Sequence, residues 1–152
     1  MIRQRFLGLF GVFGAGLLAT AAQRRPSGKQ FLNVGGAKPP GYTHVVSSPP
    51  GRMVFVSGRG GAAADGSMPA DFPTQAKNTF EDIGRCLALA GATFKDIVKI
   101  NYYITDLANT TELRRIRAGY LNMDAPPAAT LVQAGLGGGL LLEVEAVAIV
   151  PE

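Results

Sequence analysis

Residues 140–150 read Leu-Leu-Leu-Glu-Val-Glu-Ala-Val-Ala-Ile-Val, and no other stretch constrains the fold as tightly. Side chains alternate between the two faces of a strand. Glu143, Glu145, Val147 and Ile149 therefore share one side, and Val144, Ala146, Ala148 and Val150 share the other. The second set is small and wholly apolar, as befits a face packed under helices. The first carries two carboxylates and then two branched aliphatics, so it too needs cover. Desolvated carboxylates require partners or a shifted pKa. Two readings stay open. Either both carboxylates lie near a solvated edge or pair with Lys99 or an arginine across an interface, or one of them faces a cleft and handles a proton or a polar ligand.

Other periodicities supply the rest of the sheet. Residues 42–47 are extended, Pro49-Pro50-Gly51 turns the chain, and residues 53–57 form a strand, so 42–57 is expected to be a hairpin. Ala76, Phe80, Ile83, Leu87 and Ala90 lie on one face of a helix over 74–90 that Gly91 closes. Residues 97–105 are β-branched and aromatic, a strand in which Tyr102 and Tyr103 point to opposite faces. Asn109 or Thr110 caps a second helix with Leu113, Ile116 and Tyr120 as its inward stripe, and Pro126-Pro127 ends that segment. The last two strands span 130–134 and 140–150, with Gly137-Gly138-Gly139 as a flexible hairpin loop between them. The order is ββαβαββ, an α+β fold with one mixed sheet and two helices on one face. A sheet this small gains cover for its other face by oligomerising.

The chain of 152 residues has room for one domain. Residues 1–22 read as a signal peptide: Arg3 and Arg5 start it, 6–18 are apolar and uncharged, and Ala19-Thr20-Ala21 places the cut before Ala22. The apolar run falls short of the about 20 residues a membrane span needs. Arg24 and Arg25 leave a retained N-terminal anchor as the alternative. Gln4 splits the arginines, so no twin-arginine signal is present, and no cysteine follows the cut to carry a lipid. The mature protein is expected to be periplasmic or secreted, without stable membrane association after cleavage. Residues 23–41, polar and rich in Gly and Pro, form a flexible arm, and 42–152 form the domain.

Several function classes drop out. The formal charge of +4 falls to +2 when Arg3 and Arg5 leave with the leader. The one basic cluster, Arg114, Arg115 and Arg117, reads as a charged helix face, so nucleic acid is not an expected partner. Cys86 is the only cysteine, which excludes an internal disulfide, and its apolar neighbours make it a small buried hydrophobe. One cysteine and one histidine without a spacing pattern cannot build a metal site. That histidine, His44, is a secondary candidate for a general base.

From Gly41 to Val150 the chain resembles the RidA (YjgF) family. The segments that carry the resemblance are Gly41-Tyr42-Thr43-His44-Val45-Val46, Val54-Phe55-Val56-Ser57-Gly58, Ala90-Gly91-Ala92 through Asp96-Ile97-Val98-Lys99, and Tyr103-Ile104-Thr105-Asp106-Leu107. Pro126-Pro127-Ala128 and Leu142-Glu143-Val144-Glu145-Ala146-Val147-Ala148 complete the set. The resemblance implies a chorismate-mutase-like fold assembled as a homotrimer with small-molecule clefts between subunits. It also implies hydrolysis of reactive enamines and imines to a carbonyl product and ammonia, with no metal or organic cofactor.

Carried over by position, Glu143 matches the glutamate that positions water or moves a proton. Tyr42 matches a cleft-lining tyrosine, and Ser57 and Gly58 match the strand end that helps line the cleft. The family's Pro-Ala-Arg motif, whose arginine grips the substrate carboxylate, reads Pro127-Ala128-Ala129 here. Alanine cannot imitate bidentate capture of a carboxylate. Arg59, two residues after Ser57, and Arg114, at a helix position where some members place a cleft-lining asparagine, are the candidate replacements. The alternative is that both are solvated or pair with Glu112 or Asp124. Two functions therefore compete: a hydrolase for an enamine- or imine-type substrate, and a non-catalytic small-molecule-binding trimer that has lost deaminase activity.

Overall fold

In the computed structural model, which describes residues 27–152, the chain forms strands β1 (Gln30–Leu32), β2 (Val45–Ser47) and β3 (Gly51–Gly60), helix α1 (Phe72–Leu89), strand β4 (Ile97–Ile104), helix α2 (Thr110–Arg117) and strands β5 (Ala128–Gln133) and β6 (Leu142–Pro151). The leader expected over 1–22, and residues 23–26 of the arm, lie outside the described residues. The α+β architecture is as expected. A four-stranded mixed sheet of order β3-β6-β4-β5 is antiparallel except where β4 meets β5.

The alternation in β6 decides its place. Leu142, Val144, Ala146 and Ala148 are buried on the helix side, where they join Phe80, Ile83 and Leu87 of α1 and Leu113 and Ile116 of α2 in one core. Asp71 caps α1 by accepting from the Thr74 amide at 2.9 Å, and Pro73 fits the first turn, where its missing N–H costs nothing. The helix therefore starts at Phe72, two residues ahead of the start expected at 74. Gly91, at φ +64, takes the left-handed turn that ends it.

Two strand pairings differ from expectation. Residues 42–57 are not a hairpin: β2 pairs antiparallel with β1, and β3 pairs with β6. Pro49 and Pro50 precede β3 and supply no N–H donors with which a ladder back to β2 could begin. The 23–41 segment accordingly contributes a strand instead of a free arm. His44 ties that segment down, its Nδ1 accepting from the Val34 amide at 3.2 Å and its own amide donating to Asn33 Oδ1 at 3.1 Å. Lys38 Nζ reaches the carbonyls of Met123 and Asp124 at 3.0 and 3.1 Å.

The glycine loop is not a hairpin either, because β5 and β6 flank β4 from opposite sides. Its path is held by the buried amide of Gln75. Nε2 donates to the carbonyls of Pro69 (2.7 Å) and Gly139 (3.0 Å), and Oε1 accepts from the Leu141 amide (2.8 Å). This amide anchors the chain two residues before Glu143.

Candidate functional site

The sheet face opposite the helices is uncovered. Met53 and Phe55 are 56% and 70% exposed there, beside half-buried Val147 and Ile149. Glu143 and Glu145 lie on the same face, as the alternation requires, and their surroundings differ. Glu145 is held by Asn101 Nδ2 at 2.7 Å and by the Tyr103 hydroxyl at 3.0 Å. That hydrogen bond, with burial and the charges of Glu145 and Glu143, pushes the Tyr103 phenol above its ordinary pKa, so Tyr103 stays a neutral donor. Lys99, an expected partner of the carboxylates, bonds Thr130 Oγ1 at 2.6 Å instead.

Glu143 stands opposite Gly60 of β3 and Tyr103 of β4, and its carboxylate reaches across to Gly58. A β-carbon at position 58 would fall 1.8 Å from Glu143 Oε1. The backbone of Gly58 and the Glu143 carboxylate thus meet. Among the described residues no group of three or more His, Cys, Asp and Glu side chains could hold a metal ion.

Arg59 is turned away from this cluster. In a regular strand it would share the Ser57 face. A bulge between Val56 and Arg59 shifts the register, so Arg59 sits opposite Val144, a helix-side residue. There its guanidinium pairs with Asp82 of α1, to which Arg85 also donates at 2.9 Å. Burial pushes the Asp82 carboxyl up, but the hydrogen bonds and charges of Arg59 and Arg85 outweigh it and hold Asp82 below the usual carboxylate range.

The other named residues gather in a second hollow, on the helix side. Thr43, fully buried, donates from Oγ1 to the Pro126 carbonyl at 2.7 Å and from its amide to the Pro127 carbonyl at 3.2 Å. This pins Tyr42 beside Ala129. Together with Arg114 and Arg117 of α2 and Tyr102 of β4 they line a cavity of about 310 Å³. Glu112, considered as a partner for Arg114, pairs with Arg115. The structure thus brings Tyr42, Arg114 and Ala129 together, and separately Ser57, Gly58 and Glu143. The two groups line different surfaces of one chain.

Sequence reasoning missed Arg117. Counted with the charged helix face, it is 6% exposed, and its guanidinium carbon lies 5.4 Å from the centre of the Tyr102 ring. The signal was its spacing: four residues after Leu113 and three before Tyr120, inside the buried stripe.

The family model described as "Endoribonuclease L-PSP" matches residues 37–150. The RutC family protein YjgH of Escherichia coli strain K12 is 31% identical over 112 residues, covering 73% of this chain and 84% of that protein. A 2-iminobutanoate/2-iminopropanoate deaminase of Rattus norvegicus is 27% identical over 100 residues, covering 64% of this chain and 73% of the other. Among solved structures, RidA from the Antarctic bacterium Psychrobacter sp. PAMC 21119 superposes with a TM-score of 0.63 at 27% identity, over 80% of this chain and 99% of that one.

Proposed function

Because this chain belongs to the RidA (YjgF) family, we propose that it is a hydrolase of enamine- or imine-type substrates, acting in clefts between three copies of the chain. The observation that carries the reading is the Glu143 carboxylate lying against Gly58 on an uncovered sheet face, next to a neutral Tyr103. An imine needs one water and a proton relay. Glu143 takes a proton from water as the water oxygen bonds to the imine carbon. That proton passes to nitrogen and gives a carbinolamine; the proton of its new hydroxyl then follows to nitrogen, the C–N bond breaks as the C=O bond forms, and a carbonyl product and ammonia leave. Assembly supplies what one chain lacks. It covers Met53 and Phe55 and brings the Glu143 surface of one copy to the Tyr42 surface of another.

The family description names an endoribonuclease. Two carboxylates, Glu143 and Glu145, on one face suit a small substrate better than a phosphate backbone, which binds where cationic groups collect. The test is ammonia release from 2-iminobutanoate generated in situ, wild type against Glu143→Gln. The reading expects a rate that depends on Glu143, and equal rates would sink it.

The second reading, a ligand-binding trimer without turnover, is favoured by one residue, Ala129, at the position of the family's carboxylate-gripping arginine. It expects ligand-induced thermal stabilisation without ammonia release. Export belongs to the proposal as well. An N-terminus at Ala22 in protein recovered from outside the cytoplasm supports it, and an intact leader in that fraction favours the retained anchor.

A further inference from the structure

We infer that the anion-gripping role at position 129 has passed to Arg117 of helix α2, assisted by Arg114, and that the helix-side cavity takes the carboxylate of a small ligand. This rests on the reading of the chain as a small-molecule-binding family member and names the group that would hold the ligand.

Arg117 is 6% exposed, and its buried Nε has no hydrogen-bond partner among the described residues. Leaving a buried guanidinium donor unmade is costly, and such groups in native proteins have a reason to be there. Tyr102 lines the same cavity, and its hydroxyl is buried beside Arg117. The position of the guanidinium is enforced. Gly41, at φ +82, passes so close that a β-carbon there would fall 2.0 Å from Arg117 Nη2. The Tyr102 ring supports it from another side.

Ala129 opens the space in front. Its side chain ends at the β-carbon, and it faces the cavity on the strand next to Tyr102. Arg114 stands one turn before Arg117 on the same face of α2. Among the described residues of one chain no carboxylate lines the cavity, so two like charges share it. Like charges at this helical spacing repel. An anion between them would remove the repulsion, and a planar carboxylate matches the guanidinium fork.

The test is calorimetric titration of the full-length protein with 2-oxobutanoate and with its neutral amide, 2-oxobutanamide. Wild type should bind the acid at least about tenfold more tightly than the amide, the effect of one charge-assisted pair. Arg117→Gln should abolish that preference, Arg117→Lys should keep part of it, and Arg114→Gln should reduce it by a smaller factor. In Arg117→Gln, adding Ala129→Arg should restore it. Equal affinity for acid and amide in wild type overturns the inference. So does undiminished preference in an Arg117→Gln protein that melts like wild type. If Arg117→Gln does not fold, a structure with 2-oxobutanoate decides: its carboxylate should lie on Arg117. A carboxylate of a neighbouring copy in that place, or ligand elsewhere, overturns the assignment. Glu143→Gln separates the two ideas. It should lose turnover and keep the acid preference if both hold, and keep both properties if only the assignment of Arg117 is right.

Discussion

Glu143 Oε1 occupies the space in which a side chain at Gly58 would begin, with the Glu143 carboxyl carbon 2.8 Å from that point. The backbone at 58 has no positive φ, so alanine fits the local conformation. What it meets is the far end of a flexible side chain. Gly58→Ala should therefore cost about 1 kcal/mol or less in stability. It should displace the carboxylate by an ångström or more and lower ammonia release about a hundredfold. Thermal melts and turnover measured on the same preparation check both halves. A large drop in melting temperature, or unchanged turnover, would contradict the geometry.

Gln75 sets where β6 begins. Its amide makes three hydrogen bonds to backbone in a site with 1% exposure. Gln75→Leu keeps the bulk and strands the Leu141 amide and the carbonyls of Pro69 and Gly139. At about 1–3 kcal/mol for an unsatisfied buried group, the expected loss is about 3 kcal/mol, read from urea unfolding. The loop ahead of Glu143 should also gain amide hydrogen exchange.

Tyr102 makes an alkaline limit. Burial raises its phenol to about 12, against the pull of Arg117. The folded protein thus holds a proton that the unfolded chain gives up near pH 10. The associated stability is present in full below pH 10 and is lost as pH rises toward 12, about 2–3 kcal/mol in all. Tyr103 and Tyr120 are shifted in the same direction and add to the loss. Tyr102→Phe removes that buried hydroxyl and keeps the ring on which the Arg117 guanidinium rests. It should leave stability at pH 7 almost unchanged and flatten the decline between pH 10 and 12, measured by denaturant unfolding across that range.

Asp82 sets an acid limit of opposite sign. Its carboxyl is held below the ordinary range, so its contribution is present above pH 4 and disappears as pH falls through the depressed value. Asp82→Asn should lower stability at pH 7 by about 1 kcal/mol, the scale of a partly exposed pair, and reduce the slope below pH 4.

Periodicity made much of this fold legible before any coordinates. The apolar spacing of α1 located its buried face, and the alternation in β6 assigned every side chain to a face. Pairing partners were harder to read. A three-residue strand such as Gln30–Leu32 has no period to detect, and adjacency of 42–47 and 53–57 suggested a hairpin that two prolines undo. Arg59 was misplaced because one extra residue in a strand leaves no mark in composition. At the candidate site, Glu143 and Gly58 were legible from their segments. Arg117 was not, because a charge on a helix is ordinarily solvated, and only its place within the Leu113–Tyr120 stripe marks it as buried.

Phe55 offers the test of assembly. It projects from the middle of β3 with 70% of its surface exposed, beside Met53 and opposite Val147, on a sheet face that also carries the two glutamates. An exposed apolar patch of this kind on a folded domain marks an interaction surface. If three copies close over it, Phe55→Glu places a charge where the partner's surface should pack and leaves the helix-side core untouched. Light scattering after size exclusion should then report three chains for wild type and one for the variant, at concentrations of about 10 μM, well above the dissociation constants of stable interfaces. Far-ultraviolet dichroism should be unchanged. Ammonia release should fall with the mass, because the Glu143 and Tyr42 surfaces no longer meet. A variant that is monomeric and fully active would show that one chain holds a complete site, and a wild type that is itself monomeric would remove the interface on which the proposed clefts depend.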